Sequence, residues 1–234
     1  MKILAVDTST KTISIALLSD EKPMALLHKN FLRSQGSAVV SEVKKLLENI
    51  NWRIEEIELF CAGTGPGSFT GLRTSLAAIR TFSIALKRPL VGVSSFDVIA
   101  NNFTGQANTD VCILFDARQN NAYARFYKQK EASAEPYTDF ILKPLEDILD
   151  LIKQPTIIAG DIIKQHKEKI LKAKKGLVFF APEESCYPKA DVLGKLALVR
   201  YKAGYKDSPY KLLPLYIYPK ECQIARLRVL GSSE

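Results

Sequence analysis

Lys2-Ile3-Leu4-Ala5-Val6-Asp7, then Thr8-Ser9-Thr10-Lys11, then Thr12-Ile13-Ser14-Ile15-Ala16-Leu17-Leu18, is an apolar run that ends in an aspartate, turns and comes back as an alternating segment. That pattern is a strand, a short turn and a second strand. The chain states it twice. Val111-Cys112-Ile113-Leu114-Phe115-Asp116 is followed by Ala117-Arg118-Gln119-Asn120-Asn121 and by Ala122-Tyr123-Ala124-Arg125-Phe126-Tyr127. A third strand is expected over residues 24–32 in the first copy and 137–142 in the second.

Each copy continues in the same order. Val39, Val40, Val43, Leu46, Leu47 and Ile50 have helical spacing, as do Leu145, Ile148, Leu149 and Ile152. Both helices lead to an apolar strand closed by Ala-Gly, at Leu59-Phe60-Cys61-Ala62-Gly63 and Ile157-Ile158-Ala159-Gly160. Further helices follow, with strand-like segments over residues 89–93 and 177–180. Three antiparallel strands, a helix, a strand, a helix and a strand is the order of an RNase H-like unit. Two in tandem resemble the actin, sugar kinase and Hsp70 (ASKHA) superfamily, an α/β fold. The stretch 101–110 is rich in Asn, Thr, Gly and Gln, so the expected lobes are residues 1–104 and 105–234.

Composition narrows the function classes. The 234 residues are 47% hydrophobic and 25% charged, as in an ordinary globular protein. Much of the net charge of +8 comes from Lys164, Lys167, Lys169, Lys172, Lys174 and Lys175. No aromatic residue interleaves with them, so they read as a solvated helix face rather than a base-stacking surface. The cysteines (Cys61, Cys112, Cys186, Cys222) have no metal-ligand spacing. The first apolar run breaks too early for a signal peptide, and no run is long enough to cross a bilayer. A reduced, cytoplasmic protein with no membrane contact is expected.

The loops that could carry chemistry depart from an ATP-using pattern. Enzymes of this superfamily place a glycine in the turn after the first strand, so that backbone can approach phosphates. Ser9 stands there in Asp7-Thr8-Ser9-Thr10, and Asp116-Ala117-Arg118 also lacks a glycine. Asp7, Thr8, Ser9, Asp116 and Arg118 are therefore read as the remnant of a nucleotide cleft. Asp7 and Asp116 could pair as acid and base or as metal ligands, and are read first as strand-end structural residues. His28 and His166 have no nucleophile nearby in sequence, and no catalytic residue or metal ligand is assigned.

Gly63-Thr64-Gly65-Pro66-Gly67-Ser68-Phe69-Thr70-Gly71-Leu72-Arg73 is neither a Walker A loop nor a dinucleotide fingerprint. Its glycines permit a sharp turn, and Ser68 or Thr70 can cap a helix. The helix behind it, over residues 68–87, says more. Leu72, Leu76, Ile79 and Leu86 form an apolar stripe, while Thr74, Ala78, Thr81 and Ala85 form a stripe of small residues. Arg73, Arg80 and Lys87, spaced by seven, keep to one narrow line. Such a helix is buried on more than one side, against its own sheet and against a neighbour.

The first strand with its Asp-Thr-Ser-Thr turn, the Gly-x-Gly-Pro-Gly-Ser-Phe-Thr-Gly-Leu-Arg run, Val91-Gly92-Val93-Ser94-Ser95 and Asp116-Ala117-Arg118 closely resemble the TsaB (YeaZ) family, over almost the whole chain. The resemblance implies a part in forming N6-threonylcarbamoyladenosine beside the anticodon of tRNAs that read codons beginning with A. It implies a non-catalytic dimerisation subunit for a TsaD-like transferase, whose metal-binding histidines are absent here. A TsaE-like ATPase would join them, and tRNA would be met through the complex. The family also pairs with itself through much the same surface. Its docking surface lies on helices of the first lobe, which here selects Val39, Val43, Leu72, Arg73, Leu76, Ala77, Ala78, Arg80, Thr81 and Ala85. Departures from the family pattern fall at Gln35, Ser41, Asn121 and Tyr216-Ile217-Tyr218. No cofactor is expected, apart from an open alternative of a nucleotide at the subunit junction. A small-molecule kinase or ATPase with a degenerate phosphate site is the competing function, and a protease lacks a nucleophile–base pair to support it.

Overall fold

The computed structural model describes residues 1–30, 35–105 and 108–217, with residues 35–38 described for backbone only. Two sheets carry the fold. In the first, β1 (Lys2–Asp7), β2 (Thr12–Ser19), β3 (Lys22–Asn30), β4 (Leu59–Gly63) and β5 (Leu90–Val93) lie in the order β3-β2-β1-β4-β5. In the second, β6 (Asp110–Asp116), β7 (Asn121–Gln129), β8 (Ala134–Pro136), β9 (Ile141–Pro144), β10 (Thr156–Ala159) and β11 (Val178–Phe180) give β11-β10-β6-β7-β8, with β9 also on β7. The two orders coincide. In each sheet the first two strands are antiparallel, and the strand after the helix is parallel to the first. The chain has the ASKHA fold of two tandem RNase H-like units.

The expected single third strand of the second unit is two short pieces. Tyr137 N still donates to Phe126 O, but the Phe126 amide then turns to the Thr138 hydroxyl at 3.0 Å. Arg125 Nε likewise donates to Thr138 O. Side-chain bonds replace the ladder there, and Pro136 has no amide to extend it. The helix α4 is also shorter than its periodicity suggested, at Leu145–Leu149, although Ile152 still reaches the core.

Helices cover both faces of each sheet, which is why the central strands are apolar throughout. α1 (Gln35–Asn49) and α2 (Phe69–Leu86) pack on one face of the first sheet, against Leu4, Val6, Ile15, Leu17 and Phe60. Its other face, with Ile3, Ala5, Ala16 and Leu18, is covered by α6 (Ala190–Lys202) through Ala190, Leu193, Ala197 and Leu198. The second sheet takes α4 and α5 (Ile163–Ala173) on one face. Its other face takes α3 (Ser95–Ala100) through Phe96, Ile99 and Ala100. The closing helices are thus exchanged. A division at 104/105 separates the strands of the two sheets, but α3 and α6 each serve the sheet of the opposite half.

α2 has the ends its sequence suggested. The Ser68 hydroxyl accepts the Gly71 amide at 3.3 Å, and Lys87 closes the helix in the left-handed conformation at φ 52°. Cys61, Cys112 and Cys186 are free, buried thiols, raised above the ordinary thiol range by burial. Cys222 lies outside the described residues. Among those residues no helix is long and apolar enough to cross a membrane.

Candidate functional site

The turn after β1 is closed by the chain itself. Asp7 Oδ1 accepts from the Ser9 amide at 2.8 Å and the Ser9 hydroxyl at 2.7 Å, while Oδ2 accepts from the Ser95 hydroxyl at 2.6 Å. The Gly65 amide donates to the same Ser95 Oγ, which ties β1, the glycine loop and α3 into one network. Thr8 Oγ1 donates to Gly71 O, and Ser68 N donates to Ser9 O at 2.6 Å. The glycine loop lies directly on the turn. A Cβ at Gly67 would meet Ser9 O at 2.0 Å, and one at Gly63 would meet Asp7 Oδ2 at 1.8 Å. Asp7, Thr8 and Ser9 are at most 1% exposed. Burial raises the Asp7 carboxyl above its ordinary value, against the opposing bonds from Ser95 and Ser9.

The corresponding turn after β6 stays open. Arg118, Gln119 and Asn120 have φ of 64°, 50° and 64°, three left-handed residues in a row without a glycine. Asp116 Oδ1 accepts the Arg118 amide, and the Asp116 amide donates to Asp161 Oδ1 at 3.0 Å. Asp116, Arg118 and Asp161 line a cleft of about 510 Å³ between the lobes, together with Ser9, Thr10, Lys11, Ser68 and Tyr123. Burial, with the neighbouring Asp116 charge, pushes Asp161 up to about 6, against the hydrogen bond from the Asp116 amide and the Lys11 charge. Among the described residues no group of three or more His, Cys, Asp and Glu is placed to hold a metal ion.

Asp7, Ser14 and His28 are register neighbours across β1, β2 and β3. The grouping has the composition of a protease triad but not its commitments. The Ser14 hydroxyl is buried and accepts the Ala190 amide at 2.8 Å, and Asp7 is engaged by Ser9 and Ser95. Ser14 pins α6 to the sheet.

α2 divides sharply into two sides. Gly71, Leu72, Ser75, Leu76, Ile79 and Ser83 are buried. Phe69, Thr70, Arg73, Ala77, Thr81, Ile84 and Ala85 are exposed. Phe69, Thr70, Arg73, Thr74, Ala77, Ala78, Thr81 and Phe82, with Val40 of α1, line an open groove of about 700 Å³. Apolar and small side chains dominate it, and Phe69 and Val40 are about half exposed, at 51% and 48%.

The family model described as TsaD, tRNA N6-adenosine threonylcarbamoyltransferase, matches residues 33–192, more than half of the chain. The chain belongs to this family. Several of its curated relatives carry the name TsaB. The tRNA threonylcarbamoyladenosine biosynthesis protein TsaB of Bacillus subtilis is 28% identical over 196 residues, which are 80% of this chain and 84% of that protein. TsaB of Buchnera aphidicola subsp. Schizaphis graminum is 24% identical over 80% of this chain and 91% of its own length. Among solved structures, YeaZ from Pseudomonas aeruginosa is similar in fold with a TM-score of 0.78, at 23% identity, covering 92% of this chain and 99% of that one.

Within this TsaD-family chain the residues selected from sequence part company. Ala77, Thr81, Ala85 and Arg73 face outward, and Ala78 and Arg80 are half-buried. Val39, Val43, Leu72 and Leu76 are at most 2% exposed and belong to the chain's own core, so they are corrected from surface to core. The apolar stripe of α2 is its sheet-facing side, and Ala77, Thr81 and Ala85 lie on the exposed side. Phe69, Val40 and Ile84 are exposed as well, which the sequence does not mark, because an apolar residue beside an apolar stripe reads as more of the same stripe. Asp161, Lys11 and Tyr123 were also missed from the cleft, since no local pattern marks them. Ser41 is exposed on α1 and Asn121 opens β7, whereas the Gln35 side chain and Tyr218 lie outside the description.

Proposed function

We propose that this chain is the non-catalytic docking subunit of a tRNA N6-threonylcarbamoyladenosine-forming complex, binding a TsaD-like transferase through the outward side of α2. Membership of the TsaD family and the TsaB names of the curated relatives support the process. The observation that carries the docking role is the groove on α1 and α2. A helix already buried on one side presents Phe69, Ala77, Thr81 and Ile84 on the other. Small residues at Thr74, Ala77, Ala78 and Thr81 let a second helix approach closely, toward the short end of the 8–10 Å range of interaxial distances. A paralogue of the same fold offers the equivalent helix pair, so the interface would have pseudo-two-fold symmetry. The closed turn at Asp7 supports the non-catalytic part of the reading, because its carboxylate and hydroxyls are already engaged within the fold. A TsaE-like ATPase and tRNA would be met through the assembled complex.

The test is co-purification of the full chain with the TsaD-like subunit of the same organism, comparing wild type with Ala77→Arg. Ala77 is exposed, so the substitution adds bulk and charge to the docking side without entering the core. Loss of association with an unchanged melting temperature is expected, and undiminished association would sink the reading. Self-association of the isolated chain through the same groove would be abolished by the same substitution, which light scattering would register. The open cleft at Asp116 favours a second reading, nucleotide binding between the lobes. Calorimetry with ATP and magnesium distinguishes it, and turnover by the isolated chain would favour an enzyme.

A further inference from the structure

Arg73 and Arg80 sit seven residues apart on α2, on the line that the sequence offered to a partner. Both are engaged by the chain's own C-terminal segment. Arg80 Nε donates to Pro209 O and Arg80 Nη2 donates to Tyr210 O at 3.2 Å. Arg73 Nε donates to the Tyr216 hydroxyl at 2.9 Å. The segment between these two staples therefore runs antiparallel to α2 as a strap.

Other contacts fix its course. Asp207 N donates to Leu90 O, and the Gly92 amide donates to Asp207 Oδ2 at 2.7 Å, which starts the strap on the edge of β5. Leu212 packs into the core beneath α2. Leu215 N donates to Thr64 O at 2.8 Å, beside the glycine loop. Tyr216 then arrives at the first turn of α2. Its ring centroid lies 5.4 Å from that of Phe69, and the Arg73 guanidinium lies 3.8 Å from the Phe69 centroid.

Phe69 and Arg73 are two of the residues that line the α2 groove, and Tyr216 touches both from outside it. Phe69 is half exposed and has no core to fix its rotamer, and an arginine here has several rotatable bonds. Ordering such side chains at the moment of binding costs affinity, and a neighbour that orders them beforehand removes that cost. We propose that the strap is a built-in wall of the docking surface, and that Tyr216 is its positioning residue, holding Phe69 and Arg73 in the arrangement that the TsaD-like partner meets. Arg73 then serves docking through an internal clamp rather than through an ion pair with the partner. This inference rests on the docking reading above and adds to it how the surface is prepared.

The experiment measures the dissociation constant of the full chain for its TsaD-like subunit by calorimetry, with the melting temperature of each variant. The variants are Tyr216→Ala, Tyr216→Phe, Arg73→Lys, the double variant Tyr216→Phe with Arg73→Lys, and Ala77→Arg as the probe of the groove itself. Tyr216→Ala is expected to weaken binding about tenfold with little change in melting temperature. Tyr216→Phe, which keeps the ring, should recover part of that loss. Arg73→Lys keeps the charge but loses the planar stack, and should weaken binding. Its effect should not add to that of Tyr216→Phe, because both break one clamp. Binding of Tyr216→Ala within twofold of wild type, with Ala77→Arg abolishing it, overturns the clamp and leaves the docking reading standing. Wild-type binding by Ala77→Arg overturns the docking reading and the clamp with it. Should Tyr216→Ala fail to fold, Arg73→Lys and Tyr216→Phe decide: two wild-type affinities, or two fully additive losses, overturn the clamp.

Discussion

The turns after β1 and β6 occupy the same place in the two repeats and have opposite fates. Each follows an apolar strand that ends in aspartate. Asp7 is buried, takes three hydrogen bonds and is roofed by the glycine loop, whereas Asp116 faces an open cleft. The Ala-Gly pairs explain much of the difference. Gly63 lies against the Asp7 carboxylate, while a Cβ at Gly160 would meet the Leu114 carbonyl at 2.0 Å and leave the Asp116 side chain uncovered. The residue after each glycine differs as well. Thr64 donates its amide to Val93 O, but Asp161 turns its carboxylate toward the Asp116 amide. Duplication supplied one turn twice. In the first half it became a structural joint, and in the second it remained a surface.

Four substitutions, in three tests, press on that contrast. The largest effect is expected from Asp7→Ala set beside Asp116→Ala. Removing Asp7 leaves the Ser9 and Ser95 donors buried without their acceptor, at about 1–3 kcal/mol per unsatisfied group. An overall loss of about 3 kcal/mol corresponds to a fall in melting temperature of roughly 6–12 °C for a chain of this size. Asp116→Ala should cost under about 1 kcal/mol, because the group is partly solvated. Equal losses in a thermal melt would break the comparison.

Asp161 carries the next effect, and its sign depends on pH. Its folded value of about 6 lies above the ordinary carboxyl value of 3.8. The stability associated with this group is therefore fully present below about pH 3.8 and is lost as pH rises through about 6. Asp161→Asn removes the charge and keeps an oxygen for the Asp116 amide. It should raise the melting temperature at pH 8 by a few degrees, about 2–4 °C per kcal/mol, and the advantage should fade toward pH 4. An advantage equal at both pH values would show that the Asp161 charge is not its source. Asp7 is also raised by burial and contributes with the same sign, so the comparison is made between variant and wild type at each pH.

The smallest effect tests the strain of the open turn. Gln119 has φ 50° between two other left-handed residues, and such a conformation costs a side-chain-bearing residue about 1–2 kcal/mol. Gln119→Gly relieves that cost but frees the unfolded chain, so a net gain of up to about 1 kcal/mol is expected. A loss of stability in chemical denaturation would mean that the Gln119 side chain has a packing role outweighing the strain.

The order of elements was legible because its signals are local. The apolar runs of β1 and β6 stop at their aspartates, and Ser68 and Lys87 bound α2 as its own residues indicated. The two-sidedness of α2 was legible too, although which stripe faced the sheet was not, so Leu72 and Leu76 were assigned to the wrong side. The interrupted strand at Tyr137 to Phe140 was hidden because it depends on a hydroxyl from Thr138 meeting a backbone amide on β7.

The duplication, the fold class, the strand ends and the caps of α2 were written in residues adjacent along the chain, where periodicity and capping act over one or two turns. The exchange of α3 and α6, the saturation of Asp7 by Ser95 and the engagement of Arg73 and Arg80 by the strap join residues far apart in sequence. A carboxylate or guanidinium carries the same charge and hydrogen-bonding groups whether it is spent inside the fold or offered to a partner. Which of these happens is settled only by what the folded chain brings within about 3 Å of it.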